Sequence, residues 1–219
     1  MGAGESRLDE PQSSEVGSNG PLASSAARQG TVQRSQIGAG AIELFDKTMW
    51  KVSGNVFKKS QASDASLVSL EFGAEVTRLS LTIRKGPNSL FNIGIISSGL
   101  SNEVLAKCFP DLKGGAAWEL HFHRRWAKQN KEITELRKAC EEGRKGQRVV
   151  LEADGREGKR TLKLSQNGET QPVFFTNIPV PFRFAVHIYE KNYGVEIESV
   201  EVVSSPQIIG GTIAVAMDD

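Results

Sequence analysis

Between Ile42 and Val203, apolar and polar residues alternate in short runs, and Gly, Asn, Asp or Pro interrupts the alternation at close intervals. A period of two puts successive side chains on opposite faces of an extended strand. The pattern therefore predicts antiparallel strands separated by turns. From Val76 to Ile83, Leu79, Leu81 and Ile83 take one face, and Arg78, Ser80, Thr82 and Arg84 the other. Phe91, Ile93 and Ile95 share a face of the next strand, and Trp118, Leu120 and Phe122 resume the period. Gly54-Asn55 and Asn167-Gly168 mark two tight hairpins, because these residues accept positive φ. In the last strand Val195 and Ile197 lie on one phase but Val200 and Val202 on the other, which predicts a bulge near Ser199.

Lys131 to Glu142 differs from the rest. It is rich in Glu, Lys, Arg, Leu and Ala, with Ile133, Leu136 and Cys140 roughly on one face, and predicts a short inserted helix. About ten to twelve short strands remain, at spacings typical of sandwiches. No strands alternate with long helices, so a parallel sheet is not expected. The expected architecture is all-β: one antiparallel β-sandwich over residues 42–203, with one short helix inserted.

Composition bounds the two flanks. Met1 to Gly40 is Ser, Gly, Ala and Gln with scattered charge and no aromatic residue, too little apolar surface to offset its ordering entropy. Residues 1–41 are expected to be a disordered tail without a signal-peptide core. Gly2 and Ser6 fit the loose acylation pattern Met-Gly-x-x-x-Ser, so an acyl chain on Gly2 would add weak membrane association. Ile208 to Met217 is apolar but only ten residues long, whereas a membrane helix needs about 20. Residues 204–219 are read as a tail or an edge segment, and no transmembrane segment is expected. The two cysteines, Cys108 and Cys140, form neither a disulfide framework nor a metal spacing, which suits a reducing, cytoplasmic compartment. Charge is nearly balanced, 27 basic against 26 acidic residues, so nucleic acid is not the expected partner.

A family resemblance rests on the order of particular residues. Trp118 follows a small-residue turn, Gly146 opens a strand ending in Asp154, and Leu162-Lys-Leu-Ser-Gln-Asn-Gly168 forms a hairpin. Phe174 to Pro179, Phe182 to Tyr189 and Val195 to Ile197 follow. This series resembles the second half of a SPRY domain, within the concanavalin-like sandwiches. The resemblance is close from Trp118 to Val203 and looser from Ile42 to Ser97. Gln147 stands where the family has Asp, Leu164 where Phe is usual, and Lys131 to Glu142 has no family counterpart. The resemblance implies a bent two-sheet sandwich without catalytic residues or cofactors. Such a module binds a short segment of a partner protein through loops at one edge, as an adaptor or as a fragment of something larger.

Several constellations compete with that reading. His121, His123 and His187 could supply three imidazoles to zinc. Trp118, Leu120 and Phe122 take the buried face, however, which leaves His121, His123 and Glu119 on the polar one, and His187 opposes Phe182, Phe184 and Val186. Exposed strand histidines are the simpler expectation. Glu152, Asp154 and Glu157 match the spacing of a sandwich glycoside hydrolase, in which two carboxylates share a cleft. Asp154-Gly155 starts a turn, so only Glu152 and Asp154 would share a face. A carbohydrate-binding module is a third alternative, since lectins use the same architecture.

Arg124 to Arg148 holds nine Lys or Arg and four Glu, a local excess of five. Trp126 beside His123, Arg124 and Arg125 has the composition of an interaction hot spot, and an acidic peptide suits it. The candidate loops are Lys85 to Leu90, Ser97 to Gly115, Arg124 to Gln129 and Lys191 to Gly194. The expected partner-contacting residues are Trp126, Arg125, Arg124, His123, Asn192 and Tyr193. No phosphate loop, kinase signature or nucleophile elbow is present.

Overall fold

A computed structural model describes residues 36–37, 42–44, 47–64, 66–85, 91–100, 114–120, 127–129, 132–134, 140 and 142–217. Their strands form two sheets. The larger contains β1 (Gln36–Ile37), β3 (Trp50–Ser53), β4 (Val56–Lys59), β6 (Val76–Lys85), β11 (Arg148–Asp154), β12 (Thr161–Gln166), β13 (Glu169–Thr170), β14 (Val173–Thr176), β16 (Gly194–Val203) and β17 (Ile213–Ala216). The smaller contains β2 (Ile42–Leu44), β5 (Ser66–Ser69), β7 (Phe91–Ser97), β8 (Gly115–Glu119), β9 (Ala127–Gln129), β10 (Glu132–Thr134) and β15 (Phe182–Ile188). The larger sheet runs β17-β14-β12-β11-β6-β16-β4-β3, with β1 beside β16 and β13 beside β12. The smaller runs β10-β9-β8-β7-β15-β5-β2. Pairing is antiparallel except between β14 and β17.

Period-two alternation builds the core between the sheets. Leu79, Leu81 and Ile83 of β6, Val149 and Leu151 of β11, and Val195 and Ile197 of β16 point inward from one sheet. Ile93 and Ile95 of β7, Trp118 of β8, and Phe182, Phe184 and Val186 of β15 belong to the same buried cluster from the other. Trp118 meets Phe175 of β14 edge-on, with ring centroids 4.7 Å apart. Such a pair adds about 0.5–1.5 kcal/mol beyond the area it buries.

Turn chemistry places both hairpins where the residue types require. Gly54 (φ 57°) joins β3 to β4, and Asn167 (φ 51°) and Gly168 (φ 88°) join β12 to β13. The bulge expected near Ser199 is present: β16 shifts register against β6 between Ile197 and Ser199, with Glu198 as the extra residue. That shift lets Val195, Ile197 and Val200 all point inward despite their change of phase.

The expected helix at Lys131 to Glu142 is corrected over its described part. Glu132–Thr134 is strand, paired antiparallel with Ala127–Gln129. An isolated helix of this length is marginal, and the free edge of β9, itself paired with β8, recruits the segment into the sheet instead. The expected exposure of His187 and Glu119 is also corrected. The face assignment holds, but both are fully buried, in a row Glu119–Asn92–His187–Ser66 that runs across β8, β7, β15 and β5. Strands in the middle of a sheet can be covered on both faces. Here the outer side is apolar next to that row, where Leu100 packs on Val68, Ile96, Ala117 and Ala185. His187 Nε2 lies 3.2 Å from Asp64 Oδ1.

Pairing extends beyond residues 42–203 on both sides. Gln36 and Ile37 pair with Glu201 and Val200. Ile213–Ala216 adds a parallel edge strand, and Met217 is buried beyond it.

Candidate functional site

The sheet order brings three strands together at one end of the larger sheet. Lys58 on β4, Gly194 on β16 and Lys85 on β6 lie in one row. The neighbouring row, Phe57–Val195–Ile83, points into the core, so the lysine row points out. Between the lysines Gly194 leaves a gap. A Cβ there would lie 2.5 Å from the Phe57 carbonyl oxygen and 3.1 Å from the Lys58 Cα, closer than a real side chain tolerates. Glycine thus permits the close approach of β4 to β16 and also forms the floor of a groove.

Local backbone hydrogen bonds supply the walls. A second register shift, between Gly194 and Val195, makes Arg84 the extra residue on β6. The turn preceding β11 is pinned to the end of β6: Gly146 N donates to Ile83 O (2.7 Å) and Ile83 N donates to Gln147 O (2.9 Å). That places Lys145 beside the row. Asn192, at φ 70°, donates its N–H to Lys59 O at 3.0 Å, while Lys59 N donates to Tyr193 O at 2.8 Å. The result is an open groove of about 420 Å³ lined by Val56, Lys58, Arg84, Lys85, Lys145, Asn192 and Gly194.

Its electrostatics are one-sided. Among the described residues that line the groove, Lys58, Arg84, Lys85 and Lys145 are cationic and none is acidic. Arg84 is paired with Glu196, and the Lys85 ammonium stands 5.0 Å from the Tyr193 ring centre. Among the described residues neither Lys58 nor Lys145 forms an ion pair.

Of the residues expected to contact a partner, Asn192 lines this groove. Tyr193 stands next to it but is only 8% exposed, so it supports Lys85 from beneath rather than offering a surface. Trp126, Arg125, Arg124 and His123 lie outside the described residues, as do His121, Cys108, Gly2 and the loop residues 86–90 and 101–113. Lys58 and Arg84 were not anticipated. Their signal was faint: outward-facing basic residues at strand ends, whose meeting depends on β4 and β6 both flanking β16.

Glu152 and Asp154, the alternative catalytic pair, sit on the outer face of β11 beside a second depression of about 390 Å³ that includes Lys159, Lys163, Phe174 and Pro206. Both carboxylates are engaged. Glu152 accepts from Arg78 Nη2 (2.6 Å), Gln207 N (2.9 and 3.0 Å) and Ile208 N (3.0 Å). Asp154 accepts from Arg156 Nε (2.8 Å), Nη2 (2.7 Å) and backbone N (3.2 Å). Those Arg156 hydrogen bonds hold the Asp154 carboxyl below its ordinary range, against the opposing effect of burial. A general acid needs the reverse shift. Glu157 has left the strand and is exposed.

No protein-family model matches the chain, and no curated protein matches its sequence. Solved structures do match. The SPRY domain of human HERC1 superposes with a TM-score of 0.56 over 76% of this chain and 98% of that domain, at 11% identity. The fold is of the SPRY type. The TRIM65 PSpry domain superposes with a TM-score of 0.52 over 68% of this chain and 85% of that one, at 12% identity. A putative glycosyl hydrolase from Parabacteroides distasonis reaches 0.50 over 77% and 96%, at 6% identity. At such identities the likeness is one of fold, and function has to be argued from the sites on this SPRY-type sandwich. No helix among its described residues is long and apolar enough to cross a membrane.

Proposed function

We propose that the chain is a non-catalytic protein-recognition module that binds a segment of a partner protein through the loop-bearing end of its sandwich. The observation that carries this reading is the groove of Lys58, Arg84, Lys85, Lys145 and Asn192, set on a SPRY-type scaffold and bordered by the 191–193 connection. Loops held by such a scaffold are a common site of recognition. The non-catalytic assignment is supported by the engagement of Glu152 and Asp154 in anchoring hydrogen bonds. Trp126, Arg125, Arg124 and His123 are proposed as a further contact patch together with Asn192, and Tyr193 as its support. We place the module in the cytoplasm as an adaptor, with a protein rather than a nucleic acid as partner. An acyl chain on Gly2 would add weak membrane attachment.

The test is an affinity capture from native lysate with the full chain as bait, read by mass spectrometry. Parallel baits carry Trp126→Ala with Arg125→Ala, or Lys58→Glu with Lys85→Glu. A partner retained by the native bait and lost from either variant supports the module and locates its surface. Absence of any protein partner, combined with turnover of a β-glucan panel that Glu152→Gln abolishes, would replace it with the hydrolase. Selective retention on a glycan array without turnover would replace it with a carbohydrate-binding module.

A further inference from the structure

Resting on the recognition reading above, we infer that the groove at Gly194 selects an extended acidic segment of the partner and seats its anionic oxygens between Lys58 and Lys85. The chain as a whole is nearly neutral, yet the groove gathers Lys58, Arg84, Lys85 and Lys145 with no carboxylate among the described residues of its lining. Lys58 and Lys85 stand on either side of Gly194, two strand spacings apart, which is about 10 Å between backbones. Flexible lysine stems of that separation can converge on one anionic group or hold two in succession. An extended segment with acidic residues at alternate positions presents them about 7 Å apart on one face. The missing side chain at Gly194 lets such a segment settle against the sheet rather than ride above it.

The cation chemistry narrows the ligand further. Arg84 is paired with Glu196 through one guanidinium nitrogen, so part of the planar fork that recognises a carboxylate or phosphate bidentately is engaged within the chain. The remaining cations are ammonium groups, which respond to charge more than to geometry. Carboxylates and phosphoryl groups are thus both accepted, the phosphoryl more strongly per residue because it carries the larger charge. A nucleic acid strand fits less well. Its bases need aromatic faces to stack on, and Tyr193, which borders the groove, is buried with Lys85 above its ring.

Fluorescence anisotropy with the full chain tests this. The probes are a labelled peptide alternating Glu and Ser, its counterpart with phosphoserine at the Ser positions, a neutral counterpart alternating Gln and Ser, and a single-stranded oligonucleotide of similar length. The acidic peptide is expected to bind and the neutral one not. Lys58→Glu with Lys85→Glu should weaken binding about tenfold or more, and Lys58→Arg with Lys85→Arg should largely retain it. Raising the salt should weaken binding of the native chain, because exposed charges are screened. Tighter binding of the phosphoserine peptide is expected from its larger charge and supports an ammonium site that reads charge. Both lysines are exposed, so melting temperatures should not move and a folding defect is separable from lost binding. The inference is overturned if no acidic peptide binds, if the neutral peptide binds equally, if the Glu variants bind unchanged, or if the oligonucleotide binds more tightly than either acidic peptide. A lysate partner captured equally by native and Lys58→Glu, Lys85→Glu baits would overturn it while leaving the recognition module standing. Failure of the native bait to capture any partner would sink the module itself.

Discussion

Ile208 donates its backbone N–H to the Glu152 carboxylate at 3.0 Å, across 56 residues of chain. Gln207 N adds contacts at 3.0 and 2.9 Å, and the Arg78 guanidinium closes the set at 2.6 Å. A single carboxylate on β11 thus fastens the segment that follows β16 to the outer face of the larger sheet. The segment is held further along by Lys163 Nζ donating to Ile208 O, by Thr170 Oγ1 donating to Ile209 O, and by the parallel pairing of β17 with β14. The residue whose spacing suggested catalysis is an anchor.

Removal of that anchor has a defined consequence. Glu152→Ala leaves two backbone N–H groups without their acceptor and the mostly buried Arg78 with only its longer contact to Glu201 at 3.9 Å, and should cost about 2–4 kcal/mol. Glu152→Gln keeps an acceptor oxygen and should cost less. Hydrogen exchange should speed up first in residues 204–217, before the core strands. Unchanged urea midpoints and unchanged exchange in that segment would show that the anchor does not matter.

The acid limb of stability should carry the signature of two carboxylates. Hydrogen bonds from Arg156 lower the Asp154 pKa in the folded chain. For Glu198, burial opposes ionisation, but hydrogen bonds from Thr82 and Arg148 outweigh it and the pKa is again lowered. A folded value below the unfolded one means stability that is present above the unfolded value, about 3.9–4.3, and lost as pH falls through the folded value. Thermal melts from about pH 7 down to about pH 3 should therefore fall less steeply for Asp154→Asn with Glu198→Gln than for the native chain. Parallel curves for the two proteins would remove these groups from the acid transition.

Trp118 combines a large volume with an unpartnered donor. Its side chain is fully buried and edge-on to Phe175, and its Nε1 has no hydrogen-bond partner among the described residues. Trp118→Ala should cost about 3–5 kcal/mol through the cavity it leaves. Trp118→Phe should cost markedly less than its lost volume implies, because it also removes a buried, unsatisfied N–H. Chemical denaturation of the two variants checks the order. A Phe variant as unstable as the Ala variant would mean that the indole N–H is satisfied in solution.

These residues also show what local sequence carries and what it does not. Leu79, Leu81, Ile83, Trp118, Val195 and Ile197 are inward because a period of two admits one choice of face, and that choice is visible in a single strand. Asn167-Gly168 and the bulge at Glu198 are legible for the same reason: positive φ and a phase slip are local properties. His187 and Glu119 lie on the face that the alternation predicts, yet both are buried, because what covers a sheet is decided by segments distant in sequence. Glu132–Thr134 shows the same limit for propensity. The composition of Lys131 to Glu142 as a whole favours a helix, but Ile133 and Thr134 are β-branched and an available strand partner decides their state. In the candidate site, Asn192 and the 191–194 connection were legible as loop. The pairing of Lys58 with Lys85 across Gly194 was not, since it exists only once β4, β16 and β6 adopt their order.

Gly194 joins the stability of the sheet to the shape of the groove. Its backbone is flanked by Lys58 on β4 and Lys85 on β6, and an added Cβ would press on the Phe57 carbonyl oxygen at 2.5 Å. The obstructing atom is backbone, so it cannot rotate away, and β4 would have to move off β16. Gly194→Ala should destabilise the fold by about 1–3 kcal/mol, the usual cost of overpacking. Exchange should quicken in residues 50–59, the β3–β4 hairpin, because that hairpin terminates the sheet on this side and joins it through β16 alone, with Trp50 and Phe57 as its core anchors. Gly54→Ala is the matched control. No atom lies within 4 Å of the added Cβ there, so its cost comes from the positive φ alone. Equal losses at the two positions, without local loosening in the Gly194 variant, would mean that the close approach of β4 to β16 is not what demands glycine.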